Sequence, residues 1–233
     1  MAKSNNSQYY CLALDAMGGD NAPYSVIAGA SLYLKKNPNV SFLLFGDKDI
    51  IMPIMKKYPN LKDSSNIIDT KDAISAEEKP SVALRKGKNS SMRLAIEAVQ
   101  NGKADAIVSA GNTGALMVMS KLVFRSLEGI DRPAIASLLP TEKGSSVLLD
   151  MGANSACDAE NLVQFAVMGD AFSKAALNND SPTIGLLNIG SEELKGHETV
   201  RVAHQTISEE YTHLNYYGSV SYTHLRAHET RPY

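Results

Sequence analysis

Four times the chain runs from an apolar stretch through a cluster of Gly, Asn, Asp or Ser into a helix-like pattern. The junctions are YCLALDAMGGDNAP at 10–23, ADAIVSAGNTGALM at 104–117, SVLLDMGANSAC at 146–157 and TIGLLNIGSEELKG at 183–196. A glycine after a strand lets the backbone turn tightly and approach a ligand, while the following helix offers N–H groups without intrahelical acceptors at the positive end of its dipole. That combination holds small anions. The same residue types also serve as turns and caps in any α/β chain, so one junction carries little. Four, each rich in amides, hydroxyls or carboxylates, favour a site for a small anionic group. Its candidate contacts are Gly18, Gly19 and Asn21 in the first junction, then Ser109, Gly111, Asn112, Thr113 and Gly114 in the second. Gly152 and Asn154 come from the third, Asn188 and Lys195 from the fourth. Asn112 or Thr113 also reads as a helix cap, Asp158 as the cap of the next helix, and Asn188 as an amide that orients a ligand or holds its turn.

The elements that must position these residues alternate along the chain. Strands are expected at 10–14, 40–45, 66–69, 106–109, 134–139, 147–150 and 183–188. Helices are expected at 24–36 with Pro23 in the first turn, at 48–57 interrupted near Pro53, and at 91–100, 113–125 and 159–177. The strands at 134–139 and 147–150 read as neighbours paired across TEKGSS. Such alternation predicts an α/β fold, a three-layer α/β/α sandwich around a mostly parallel, Rossmann-like sheet. Ligands of such sheets gather outside the carboxyl ends of the strands, where all four junctions fall.

With 233 residues, 44% of them hydrophobic, and a net charge of -2, the chain can bury a sizeable core and has no global affinity for nucleic acid or anionic membrane. Cys11 and Cys157 give no disulfide framework, which favours a reducing, cytoplasmic setting. The N-terminus does not read as a signal peptide, and no apolar run approaches the roughly 18–20 residues of a membrane span. All five histidines follow position 195, but the spacing of His213, His224 and His228 matches no ligand set, so no metal is expected. Cys157 lies near a helix start, which lowers a thiol pKa, yet no histidine accompanies it as a nucleophile's base would. No G-x-G-x-x-G follows the first strand, which argues against a dinucleotide-dependent dehydrogenase.

Taken in order, LDAMGGDNAP (14–23), KPSVALRKGKNSSM (79–92), GKADAIVSAGNTGALM (102–117), DRPAIA (131–136), LLDMGANSACDAENLVQFAVMG (148–169) and GLLNIGSEELKG (185–196) resemble the bacterial PlsX-type phosphate acyltransferases of phospholipid synthesis. The resemblance implies an enzyme that makes acyl-phosphate from acyl-acyl-carrier-protein and inorganic phosphate, with no cofactor and no covalent enzyme intermediate. Lys195 and Asn188 become its catalytic residues, and the other junction residues its substrate contacts. It implies a homodimer in the full-length protein, a membrane glycerol-phosphate acyltransferase downstream, and peripheral membrane association. Arg85, Lys86, Lys88 and Arg93 form a basic cluster suited to docking an acidic carrier protein, or a solvated surface. Asp15 and Asp20 would repel phosphate, so near the site they would orient a lysine, accept backbone hydrogen bonds or meet the carrier's pantetheine amides.

The resemblance fades at NYYGSV (215–220), where the family continues through many further residues, and Ser221–Tyr233 reads like translated sequencing-adapter DNA. The expected organisation is a disordered 1–8, an incomplete acyltransferase domain over 9–218 and a non-native tail over 219–233. The alternative function is that of an inactive fragment with weak anion or carrier-protein binding.

Overall fold

The computed structural model describes residues 9–141, 144–152, 154, 156–188 and 197–221. The chain divides into two compact units, one ending at Arg125 and one starting at Ser126. In the first unit, β1 (Tyr10–Asp15), β2 (Val40–Gly46), β3 (Ser65–Asp69) and β4 (Ala106–Val108) form a wholly parallel sheet in the order β3-β2-β1-β4. Parallel neighbours need crossovers. These are α1 (Tyr24–Lys36), α2 (Lys48–Met55), and α3 (Pro80–Lys86) with α4 (Ser91–Gln100), while α5 (Thr113–Phe124) follows β4.

Strand alternation decides which face each side chain joins. Leu14, Val40, Phe42 and Leu44 pack with Ile27, Ala30 and Leu34 of α1 and with Ile51 and Ile54 of α2. The intervening Cys11, Ala13, Leu43 and Phe45 meet Ala95 and Ala98 of α4 on the other face. This unit therefore has the expected three layers, and burial on both faces explains why its strands read as continuous apolar runs. Each large side chain fully buried here, Phe42 and Ile51 among them, contributes roughly 1.5–3 kcal/mol.

Three local differences from the sequence reading have physical causes. Pro23 is the N-cap of α1 and not part of its first turn. Pro53 does not interrupt α2, which runs through it to Met55 with Ile51 and Ile54 buried; that burial offsets the lost intrahelical bond and the steric cost that a proline brings to a helix interior. The short α3 was not expected from the sequence, although Pro80 at its first position and Gly87 at its end are ordinary start and stop signals.

In the second unit, β5 (Ala136–Thr141) and β6 (Gly144–Leu149) pair antiparallel, as their spacing predicts. After α6 (Ala159–Leu177), β7 (Ile184–Asn188) pairs parallel with β8 (Tyr216–Ser221) through the crossover α7 (Glu198–Glu210). Val163, Ala203, Ile207 and Leu214 form this core with Ile184, Leu186 and Tyr216 packed on it. The sequence reading missed α7 and β8 because α7 buries only Ala203 and Ile207 among polar residues, too thin an apolar stripe to stand out. His204 belongs to this packing, with Nδ1 2.8 Å from the Tyr216 hydroxyl. Among the described residues no group of three or more His, Cys, Asp or Glu is placed to hold a metal ion, and no helix is long and apolar enough to cross a membrane. His224, His228 and all of the tail beyond Ser221 lie outside the described residues.

Candidate functional site

In the first sheet, the chain leaves β1 for β2 on one side and returns from β3 to β4 on the other. The crevice at the carboxyl ends of β1 and β4 is thus a topological switch point, the place where open α/β sheets bind ligands. Leu14 stands opposite Val108, so the residues that follow, Asp15 and Ser109, are neighbours at that edge. The Ser109 hydroxyl donates to Asp15 Oδ2 at 2.7 Å, and the Ser91 hydroxyl donates to Asp15 Oδ1 at 2.6 Å. Asp15 is only 2% exposed, and no cation is among these partners. Ser91 opens α4, so the carboxyl group faces a helix N-terminus, whose dipole favours negative charge. Ser109 Oγ in turn accepts the Gly111 N–H at 3.1 Å, which links a buried acid at the end of β1 to the backbone of the turn after β4.

Glycine is required where these two turns touch. A Cβ on Gly18 would lie 2.4 Å from Asp15 Oδ2 and 2.9 Å from Ser109 Oγ, and one on Gly111 would lie 3.2 Å from the Gly18 Cα. Gly19 has φ +105° against the Ala110 carbonyl, a conformation other residues rarely adopt. The two junctions therefore meet backbone to backbone. Asn21 and Thr113 are exposed beside them.

Asn112 caps α5, its Oδ1 accepting the Ala115 N–H at 2.9 Å, while its amide donates to the carbonyls of Ser75, Ala76 and Glu78 at 2.8–3.2 Å. Its side chain thus holds the loop before α3 against the start of α5. Gly114 admits Pro80 alongside, since a Cβ there would lie 2.8 Å from Pro80 Cγ. What this corner offers a ligand is the N–H groups of Thr113 and Gly114, which have no intrahelical acceptor.

Of the basic cluster, Arg85, Lys86 and Lys88 are exposed on and after α3. Arg93 is not part of that surface: its Nε is 2.7 Å from Glu97 Oε1 and its side chain is 18% exposed. The i,i+4 spacing on α4 turns it onto its own helix. Ser90, a possible phosphate contact by position, is the α4 N-cap, accepting the Arg93 N–H and donating to the Gly87 carbonyl.

In the second unit, Asp150 and Asn154 form a closed knot. Asp150 Oδ2 accepts the Asn154 N–H at 3.1 Å and its amide at 3.0 Å, and that amide also reaches the Pro133 carbonyl at 3.1 Å. Gly152 supplies φ +77° at the bend between them. Asp158 caps α6 in a reciprocal box with Asn161, as expected. Asn188 is buried at the end of β7. Lys195 lies outside the described residues.

Cys157 does not have the lowered pKa that its place before a helix suggests. Burial pushes its thiol up, the carboxylates of Asp150 and Asp158 add to this, and Arg132 opposes them. A raised value means a smaller thiolate fraction at neutral pH. Iodoacetamide at pH 7.5 should therefore alkylate Cys157 several-fold more slowly in the folded protein than in urea, followed by peptide mass spectrometry; faster labelling in the fold would restore the nucleophile reading.

Sequence reasoning names Asp15, as a partner of a lysine, of backbone N–H groups or of the carrier, and Ser91, with Ser90, as a cap or phosphate contact, but it does not foresee that Ser91 and Ser109 hold Asp15. Their partnership depends on the β1–β4 register and on α4 starting beneath the same edge, which no local pattern encodes.

Comparison with known proteins places the chain in a family. A family model described as "Fatty acid synthesis protein" matches residues 10–230. The phosphate acyltransferase of Rhodospirillum centenum is 58% identical over 197 residues, covering 84% of this chain and 56% of that protein. The phosphate acyltransferase of Rhodospirillum rubrum is 50% identical over 209 residues, 90% of this chain and 60% of that one. The chain thus spans less than two thirds of the length of these relatives. Among solved structures, the EutD phosphotransacetylase from Staphylococcus aureus superposes with a TM-score of 0.62 at 18% identity, over 91% of this chain and 68% of that one, a likeness of fold.

Proposed function

We propose a function from one premise: the chain belongs to the fatty acid synthesis protein family, that of the phosphate acyltransferases. On our reading the whole protein joins inorganic phosphate to the acyl group of acyl-acyl-carrier-protein. An oxygen of hydrogen phosphate attacks the thioester carbonyl, the new C–O bond forms, the C–S bond breaks, and the carrier's thiolate leaves with the electron pair and takes up the proton that the phosphate gives up. Phosphate is already ionised at neutral pH, so no general base is needed and catalysis reduces to positioning and charge stabilisation. The observation that carries the reading is the chain from Asp15 through Ser109 to Gly111 at the switch point, which fixes two glycine turns in backbone contact.

In this proposal the turns at Gly18, Gly19 and Asn21 and at Gly111–Gly114 hold phosphate through N–H groups. Lys195 and Asn188 stabilise the oxyanion that develops on the thioester. The product passes to a membrane glycerol-phosphate acyltransferase, and the enzyme works as a cytoplasmic homodimer. The test is phosphate-dependent conversion of acyl-acyl-carrier-protein to acyl-phosphate, followed by mass spectrometry on a protein of the relatives' full length. Phosphate binding without thioester consumption would leave only a binding function.

The exposed Arg85, Lys86 and Lys88 fit an acidic carrier. Reversing all three to Glu should raise KM for acyl-acyl-carrier-protein about tenfold at low salt with kcat nearly unchanged, and the difference should shrink as salt rises. A KM that stays at the parent value would make them a solvated surface.

A further inference from the structure

The β3 edge of the first unit carries a second concavity, two strands from β1. It is a groove of about 520 Å³ between α2 and β3, with Met52, Met55, Pro59 and Ile67 among its lining residues and Lys48, Lys56 and Lys62 around it. Its size is that of a small-molecule site, roughly 300–1,000 Å³. All three lysines are exposed, and none has an ion pair among the described residues. The contrast with neighbouring Lys71 is informative: that ammonium group is clamped by Asp47 at 2.6 Å and Asp49 at 2.7 Å. Asp69 accepts the Lys48 N–H at 2.9 Å, and Asp63 follows Lys62 in the chain. Neither carboxylate forms an ion pair with Lys48, Lys56 or Lys62 among the described residues.

An apolar floor beneath three ammonium groups without ion-pair partners among the described residues selects its occupant by charge. A second copy of this chain seated face to face would bring like charges together. We infer that the groove binds a single-chain anionic amphiphile, an alkyl chain of fatty-acid type lying on Met52, Met55 and Ile67 with a carboxylate or phosphate head among Lys48, Lys56 and Lys62. Methionine suits this task because its flexible thioether chain adapts to chains of different length. The inference concerns a surface separate from the β1–β4 crevice, and it stands whether or not the chain transfers acyl groups.

The experiment is calorimetric titration of the whole 233-residue chain with alkyl phosphates and alkyl carboxylates of six to ten carbons, kept below their micelle concentrations. Affinity should rise by up to about fourfold per added methylene until the groove is full. Alkyltrimethylammonium ions of equal length should bind far more weakly, and inorganic phosphate alone should bind no more tightly than the shortest chain. Lys56→Glu with Lys62→Glu should weaken binding at least about tenfold, and Met52→Glu with Met55→Glu should abolish it. Met52 and both lysines are exposed, and thermal melts check that each variant is folded. Hydrogen exchange on the unsubstituted chain should show protection confined to α2 and β3. Equal affinity for cationic chains, unchanged binding in folded variants, or protection at the β1–β4 turns would each overturn the inference. So would an acidic helical peptide that binds the groove when no alkyl anion does, which would assign the surface to a protein partner.

Discussion

Asp15→Ala will destabilise the first unit by about 3–5 kcal/mol, read as a lower urea midpoint at an unchanged denaturant slope. The substitution leaves the Ser91 and Ser109 hydroxyls without their acceptor in a buried place, each orphaned group costing roughly 1–3 kcal/mol, and it opens a cavity beside Gly18. Asp15→Asn separates shape from charge. The amide fills the same volume and still accepts one hydroxyl, but its nitrogen faces the other serine as a donor, so that hydroxyl must turn away. About half of the loss should return. Phosphate binding, measured by calorimetry on the folded asparagine variant, should weaken beyond what its stability change explains, because Ser109 no longer sets the Gly111 N–H. An alanine variant that melts within about 0.5 kcal/mol of the parent would show that the buried hydrogen bonds count for little, and the switch-point reading would lose its anchor.

How much of this was legible beforehand follows from the range of each signal. The helix 24–36, the helix 91–100 and the long helix 159–177 are read from the sequence with the bounds the structure gives, because each has a local start signal, at Pro23, Ser90 and Asp158, ahead of a run containing several apolar residues. The hairpin of β5 and β6 was visible for the same reason, two apolar runs across a polar turn. The crossover α7 was hidden by its polar surface, and α3 by its brevity. At the site, the sequence identified the glycines and amides but not their division of labour. Asn112 looked like a ligand contact or a cap; it caps α5 and also ties down the loop at 75–78. Asp15 looked out of place beside a phosphate site until the register set Ser109 next to it and α4 supplied Ser91. Cys157 shows the opposite failure, where a local rule about helix starts was outweighed by burial and two neighbouring carboxylates.

The proposed reaction has no acid–base residue at its centre, and this makes the cation in NIGSEELKG decisive. Lys195→Ala, in a protein of the relatives' full length, should lower acyl-phosphate formation about a hundredfold, the usual consequence of removing one preorganised oxyanion donor. If Lys195 acts only on the developing oxyanion, kcat and kcat/KM should fall together, because ground-state binding loses nothing. Lys195→Arg should recover part of the rate, since it keeps the charge but changes the reach and shape of the donor. A loss confined to KM for phosphate would move Lys195 from the thioester oxygen to the incoming anion, still within the site. The competing reading, a solvated lysine partnered by Glu192 or Glu193 close by in the sequence, predicts near-parental turnover, because an exposed pair of that kind contributes at most about 1 kcal/mol to stability and nothing to the transition state. Single-turnover measurements at saturating acyl-acyl-carrier-protein isolate the chemical step, and a folded alanine variant that turns over there at the parental rate would remove Lys195 from the mechanism.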